Sequence, residues 1–225
     1  MDNALFLLYN FFVICFRGRM VMKLTEKISL KTTAFISGYC DLSEVELQKV
    51  KYGIDILILN SYKLVIIFFI AYLLGILFQT FLFMLSYGFI RLFAFGMHAQ
   101  RGITCLLSTI VIFLGLTYYS PFVMLNHLQI SVLFIINLTS VMLFAPADTG
   151  KKPIVNPQRR KILKGKSVAA LVFLYLIAIF YCSPINATIV GLSTTVACIM
   201  INPILYIVSG QTYNNYRFYK KKEAL

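Results

Sequence analysis

Residues 147–166 read ADTGKKPIVNPQRRKILKGK, with seven bases (Lys151, Lys152, Arg159, Arg160, Lys161, Lys164 and Lys166) against one acid, Asp148. Uncharged runs of 46 residues (102–147) and 50 residues (167–216) flank this basic stretch. About 20 apolar residues cross the ~30 Å hydrocarbon core of a bilayer, so each run is long enough for two crossings. Short loops rich in Lys and Arg stay on the cytoplasmic side, so this segment reads as an inside loop between two helical hairpins. The later run breaks at Cys182-Ser183-Pro184-Ile185-Asn186, which predicts helices near 167–182 and 186–208. The earlier run breaks between Tyr118 and His127, which predicts helices near 103–119 and 129–146.

Composition agrees along the whole chain. Of 225 residues, 60% are hydrophobic and 13% charged, and the mean hydropathy is +0.82. A soluble domain carries about twice that share of charge, so a soluble enzyme is excluded, as are disorder and a coiled coil. The period-2 alternation of a membrane β-barrel is absent. The expected fold is all-α, a polytopic membrane helical bundle of about six transmembrane helices with an N-terminal amphipathic helix. The net charge of +13 lies in short segments between apolar runs, which points to anionic lipid as a partner and argues against nucleic acid.

Upstream, a third uncharged run of 27 residues spans 64–90. An even number of crossings is needed if the amphipathic region lies inside, which predicts helices near 50–68 and 71–93. Asp55 and Lys63 then fall near or within the membrane, where ionisable groups usually face a bundle interior. Residues 23–52 read as an interfacial segment in which Ser43 and Glu46 form an S-x-x-E capping box. Residues 1–22 read as an upstream extension, with the native start at Met20 or Met22. The domain at 53–209 is the membrane-embedded one, and 210–225 is a basic cytoplasmic tail.

One constellation carries chemistry: Gly96-Met97-His98-Ala99-Gln100-Arg101-Gly102-Ile103-Thr104-Cys105. A thiol near neutral pH needs a base, and imidazole titrates in the right range. Along a continuous helix the two α-carbons would be ~10.5 Å apart, too far for direct contact in most rotamers, so the chain must bend. Gly96 and Gly102 permit the bend. Cys105 then falls in the first turn of the following helix, where free N–H groups favour a thiolate and an oxyanion. Arg91 and Arg101 add positive charge. Taken alone, a single Cys in an apolar helix is more often a small hydrophobe, and a lone His at a membrane surface is often only interfacial. His127 reads as interfacial and on the opposite side. No third triad member stands out; Asp148, Gln100 and Ser108 are the candidates. Five dispersed cysteines (Cys15, Cys40, Cys105, Cys182 and Cys198) form no CxxC pair, and one His with one Cys leaves any metal short of ligands. No cofactor is expected.

The segments YGIDILILN, KLVIIFFIAYLL, FIRLFAFGMHAQ and APADTGKKPI, with a Cys seven residues after the His, resemble the accessory gene regulator B (AgrB) family of bacterial membrane cysteine endopeptidases. The likeness runs from about Tyr52 to Lys166 and rests on R-(x)6-H-(x)6-C together with A-P-A-(x)4-K-P-I. It implies a peptidase that removes the C-terminal tail of a small AgrD-like pro-peptide, leading in quorum-sensing members to a cyclic thiolactone or lactone. It implies His98 and Cys105 as the catalytic pair, Arg91 and Gly96 as supporting residues, and Lys151 and Lys152 as the basic segment that meets substrate. It also allows a homodimer, and implies a cell-membrane location with the site near the cytoplasmic face. Phe93 and Phe95 depart from the polar residues common in the motif. The competing reading is a small transporter or peptide-export component that uses Asp55 and Lys63; a third is an inert scaffold subunit.

Overall fold

A computed structural model describes residues 18–40, 43–97, 102–149 and 153–217. Residues 1–17, which make up most of the 1–22 segment read as an upstream extension, and His98, Gln100, Arg101, Lys151 and Lys152 lie outside the described residues. The chain divides into two compact units, Met1–Gly75 and Ile76–Leu225.

In the first unit, α1 (Gly18–Ser37) packs on α2 (Glu44–Leu73). Ser29 and Thr33 are buried in α1 and return their hydroxyls to backbone, Thr33 to the Ser29 carbonyl at 2.6 Å. The expected capping box is present: Ser43 Oγ accepts from the Glu46 N–H at 3.4 Å, and the Glu46 carboxylate accepts from the Ser43 N–H at 3.0 Å. It opens a new helix rather than lying inside an interfacial one. The amphipathic segment ends at Ser37, and α2 runs 30 residues, about 45 Å at 1.5 Å per residue. The expected break near residue 70 falls instead at Leu74–Ile76, where Gly75 takes a φ of +70° that ends the helix in a left-handed residue. Asp55 and Lys63 are half-buried along α2.

The second unit holds α3 (Leu77–Ala94), α4 (Gly102–Thr109), a π-helical turn (Ile110–Leu114), α5 (Gly115–Tyr119), a 3₁₀ turn (Ser120–Phe122), α6 (His127–Phe144), α7 (Pro157–Phe180), α8 (Pro184–Ile199) and α9 (Pro203–Val208). Side-chain caps mark the starts of α6, α7 and α9. Asn126 and Gln129 form a capping box at the start of α6. Asn156 Oδ1 accepts from the N–H groups of Gln158 at 2.9 Å and Arg159 at 3.2 Å, and Pro157 occupies the first helical position. Thus α7 starts about ten residues before the expected 167, so that Arg159, Arg160, Lys161, Lys164 and Lys166 ride on a helix instead of a loop. The expected helix 186–208 is two helices, because Asn202 caps α9 through the Ile204 N–H at 2.9 Å and Pro203 cannot continue α8.

The fold is an all-α polytopic membrane bundle. Among the described residues, five helical stretches are long and apolar enough to cross a membrane (44–73, 77–94, 105–122, 127–144 and 157–180), and α8 is a shorter apolar helix of 16 residues. The core of the second unit lies among α3, α6, α7 and α8 and is rich in small residues, including Ala94, Ala170, Ala178, Ala187 and Ala197. Small side chains let membrane helices approach closely. Buried Asn137 ties α6 to α8 by donating to Thr194 Oγ1 at 3.3 Å and Thr195 Oγ1 at 3.0 Å. Large apolar side chains such as Leu85, Leu92, Ile136 and Phe173 point outward, as lipid contact requires.

Candidate active site

The site grows from the end of α3. Arg91 sits in the last turn of that helix, where a cation suits the negative end of the dipole. Its Nη2 donates to the Met97 carbonyl at 2.9 Å. Between them the chain turns sharply: Phe95 has φ +56° and ψ −131°, and Gly96 has φ +112°. Glycine is needed at 96 twice over. Its φ disfavours any L side chain, and a Cβ there would strike Arg91 Nη1 and lie 2.7 Å from the Met200 carbonyl.

Three further hydrogen bonds fix this corner. Ala147 N–H donates to the Ala94 carbonyl at 2.9 Å, and Gly96 N–H donates to the Ala147 carbonyl at 2.9 Å. Met97 N–H donates to the Met200 carbonyl at 3.1 Å, at the end of α8. The A-P-A-D segment and the end of α8 therefore grip the backbone up to Met97, the residue before His98. Arg91 and Gly96, paired in the sequence reading only by resemblance, are brought into one clamp.

Cys105 is the fourth residue of α4, which begins at Gly102, and is half-buried. Its carbonyl accepts from Thr109 Oγ1 at 2.7 Å and Ser108 Oγ at 3.1 Å, so the Ser108 hydroxyl is spent on its own helix. Sequence reasoning missed Tyr87. It lies one turn before Arg91, whose guanidinium carbon is 5.7 Å from the ring centroid, and its ring meets Phe113 edge-on at 4.9 Å. Tyr87 is the single tyrosine of α3 and stands four residues from Arg91, a spacing that puts both on one helix face.

Asp148 is a structural anchor. Its side chain is fully buried, pairs with Arg160 Nη1 at 3.4 Å, and accepts from the N–H groups of Ile154 at 3.3 Å, Asn215 at 3.1 Å and Tyr216 at 3.0 Å. Arg160 also donates from Nη2 to the Pro146 carbonyl at 3.2 Å and stacks 3.7 Å from the centroid of the Tyr216 ring. Tyr206 donates its hydroxyl to the Ala147 carbonyl at 3.4 Å, and Tyr213 to the Phe144 carbonyl at 3.3 Å. Residues 206–217, read from sequence partly as a basic tail, are knitted to the A-P-A-D segment; the spaced Tyr206, Tyr213 and Tyr216 were the available signal.

Cys40, Cys105, Cys182 and Cys198 are free thiols. Cys198 is buried and points its sulfur at the Asn137 carbonyl, 3.6 Å away. Burial pushes the Cys182 thiol above its ordinary range, which disfavours the thiolate there. Among the described residues, no three His, Cys, Asp or Glu side chains converge on a point where they could hold a metal ion.

Fold and site together define a polytopic helical membrane protein with a half-buried thiol at a helix start and an Arg–Gly clamp just ahead of it in the chain. The family profile of accessory gene regulator B matches residues 22–209. The chain is similar to an AgrB-like protein of Clostridium acetobutylicum, 31% identical over 200 residues, 89% of this chain and 94% of the relative. It is also similar to an AgrB-like protein of Listeria monocytogenes, 32% identical over 172 residues, 76% of this chain and 84% of the relative. Accessory gene regulator protein B of Staphylococcus intermedius is 31% identical over 169 residues, 73% of this chain and 85% of the relative. No solved structure matches the chain at a significant level. The chain belongs to the accessory gene regulator B family, and so to the agr quorum-sensing system.

Proposed function

We propose that the chain is a cysteine endopeptidase of the cell membrane that cleaves the C-terminal tail from a small AgrD-like pro-peptide. In this reading His98 takes the proton of Cys105, and the thiolate attacks the scissile carbonyl. The C–N bond breaks as His98 returns the proton to the leaving amine, and the peptide remains as a thioester on Cys105. A thiol or hydroxyl within the peptide then attacks the thioester, gives its proton to Cys105 by way of His98, and closes a ring. Exclusion of water by the bundle protects the acyl-enzyme from hydrolysis. Lys151 and Lys152 suit a C-terminal peptide tail that carries acidic residues, and the chemistry takes place near the cytoplasmic face, within reach of a newly made peptide.

The observation that carries the reading is the Arg91–Gly96 clamp, which ends one residue before His98 and leads into the helix whose first turn holds Cys105. Co-expression with AgrD-like pro-peptides, read by mass, tests it. Cys105→Ser and His98→Gln should each abolish truncation. Unchanged truncation in either variant, or the same loss from Cys182→Ser, would remove the assignment.

A further inference from the structure

The described residues that grip the chain just before His98 do not end with Arg91. Ala147 is the link: its N–H and carbonyl hold Ala94 and Gly96, both at 2.9 Å, and Tyr206 binds the same carbonyl at 3.4 Å. Ala147 is itself fixed by its neighbours. Arg160 holds the Pro146 carbonyl, and the Asp148 carboxylate gathers Arg160 with three backbone N–H groups, two of them from the C-terminal segment at Asn215 and Tyr216. Ser209 adds a bond from its hydroxyl to Met97 Sδ at 3.6 Å. A buried ion pair often serves stability no better than apolar packing, and in some proteins it instead fixes one geometry among near alternatives.

We propose that Asp148, Arg160 and Tyr206, together with residues 209–217, are positioning elements for the Cys105 chemistry: they hold the A-P-A-D segment, which sets the backbone that delivers His98. The proposal rests on the peptidase reading for its consequence. These groups act through Ala147, and the C-terminal segment is part of the machinery rather than an appendage.

The test uses the full chain in liposomes with an AgrD-like pro-peptide that the wild-type chain truncates. Asp148→Asn should lower kcat by about tenfold or more with KM within about twofold. Tyr206→Phe, which removes one hydroxyl, should lower kcat by about threefold. Both should raise the pH midpoint of Cys105 alkylation by iodoacetamide, followed residue by residue by mass spectrometry, because the thiol loses a placed base. An unchanged kcat and midpoint would overturn the proposal, as would a rise in KM at constant kcat, the mark of substrate contact. Where Asp148→Asn fails to fold, Tyr206→Phe decides by the same two readouts. If wild type and Cys105→Ser process the peptide equally, the peptidase reading fails by itself, and the alkylation midpoints still decide whether Tyr206 positions the thiol's partner.

Discussion

Gly96→Ala isolates the clamp in one methyl group. At φ +112° the alanine is strained, and its Cβ meets the Arg91 guanidinium, the Met200 carbonyl at 2.7 Å and Ile201 Cγ2 at 3.1 Å. Backbone strain of this kind costs about 1–3 kcal/mol, and displacing Arg91 forfeits a charge-assisted bond of about 1.5–3 kcal/mol that is only partly shielded from water. A combined penalty of about 3 kcal/mol lowers the population of the clamped state roughly a hundredfold. The assay is the rate of pro-peptide truncation in liposomes, alongside thermal melting in detergent. Gly88→Ala is the control: Gly88 lies within α3, and a Cβ there meets nothing within 4 Å, so helix propensity should make the change neutral or stabilising by up to about 1 kcal/mol. Gly96→Ala should cut truncation by about two orders of magnitude while Gly88→Ala leaves it intact. A Gly96→Ala protein that works within twofold of wild type at an unchanged melting temperature refutes the reasoning.

Arg91→Gln removes the reach to the Met97 carbonyl but leaves α3 otherwise intact, so truncation should fall at least about tenfold with little change in melting, checked by the same paired measurements. Cys182→Ser should leave truncation unchanged, since partial burial pushes that thiol up and disfavours its thiolate; activity lost there in a stably folded protein would move the nucleophile. Asn137→Ala deletes two interhelical bonds to Thr194 and Thr195, each worth about 0.6–1.7 kcal/mol in a membrane, and melting should drop by roughly 2–14 °C, read by thermal denaturation in detergent.

What the sequence made legible follows from where its signals are local. The breaks at Ser183-Pro184 and Asn126 were readable because capping and proline act within a few residues. The start of α7 was misplaced because charge marked Arg159 to Lys166 as loop, while the Asn156-Pro157 cap, a helix-start signal, outweighed it. The division of residues 186–208 was missed for a related reason: hydropathy is continuous through Asn202-Pro203, and only their start signature betrays the break. Gly96 was found as a permissive residue, but the guanidinium and carbonyl that make it obligatory come from Arg91 and Met200, about a hundred residues apart in the chain. The roles of Asp148 and Tyr206 were illegible because their partners are backbone groups brought close only by tertiary folding.

The π-helical turn at Ile110–Leu114, which itself buries Phe113 and Leu114, separates Cys105 from the half of its helix that buries Thr117. Such a widened turn accommodates one residue more than an ordinary one, so it offsets the azimuth of everything before it by about 100° relative to everything after. The direction in which the sulfur faces is therefore written in a residue count, not in the chemistry of any neighbour. Shortening that segment by one position would leave composition and hydropathy almost untouched, yet rotate the thiol about the helix axis like a key turned a quarter past its lock.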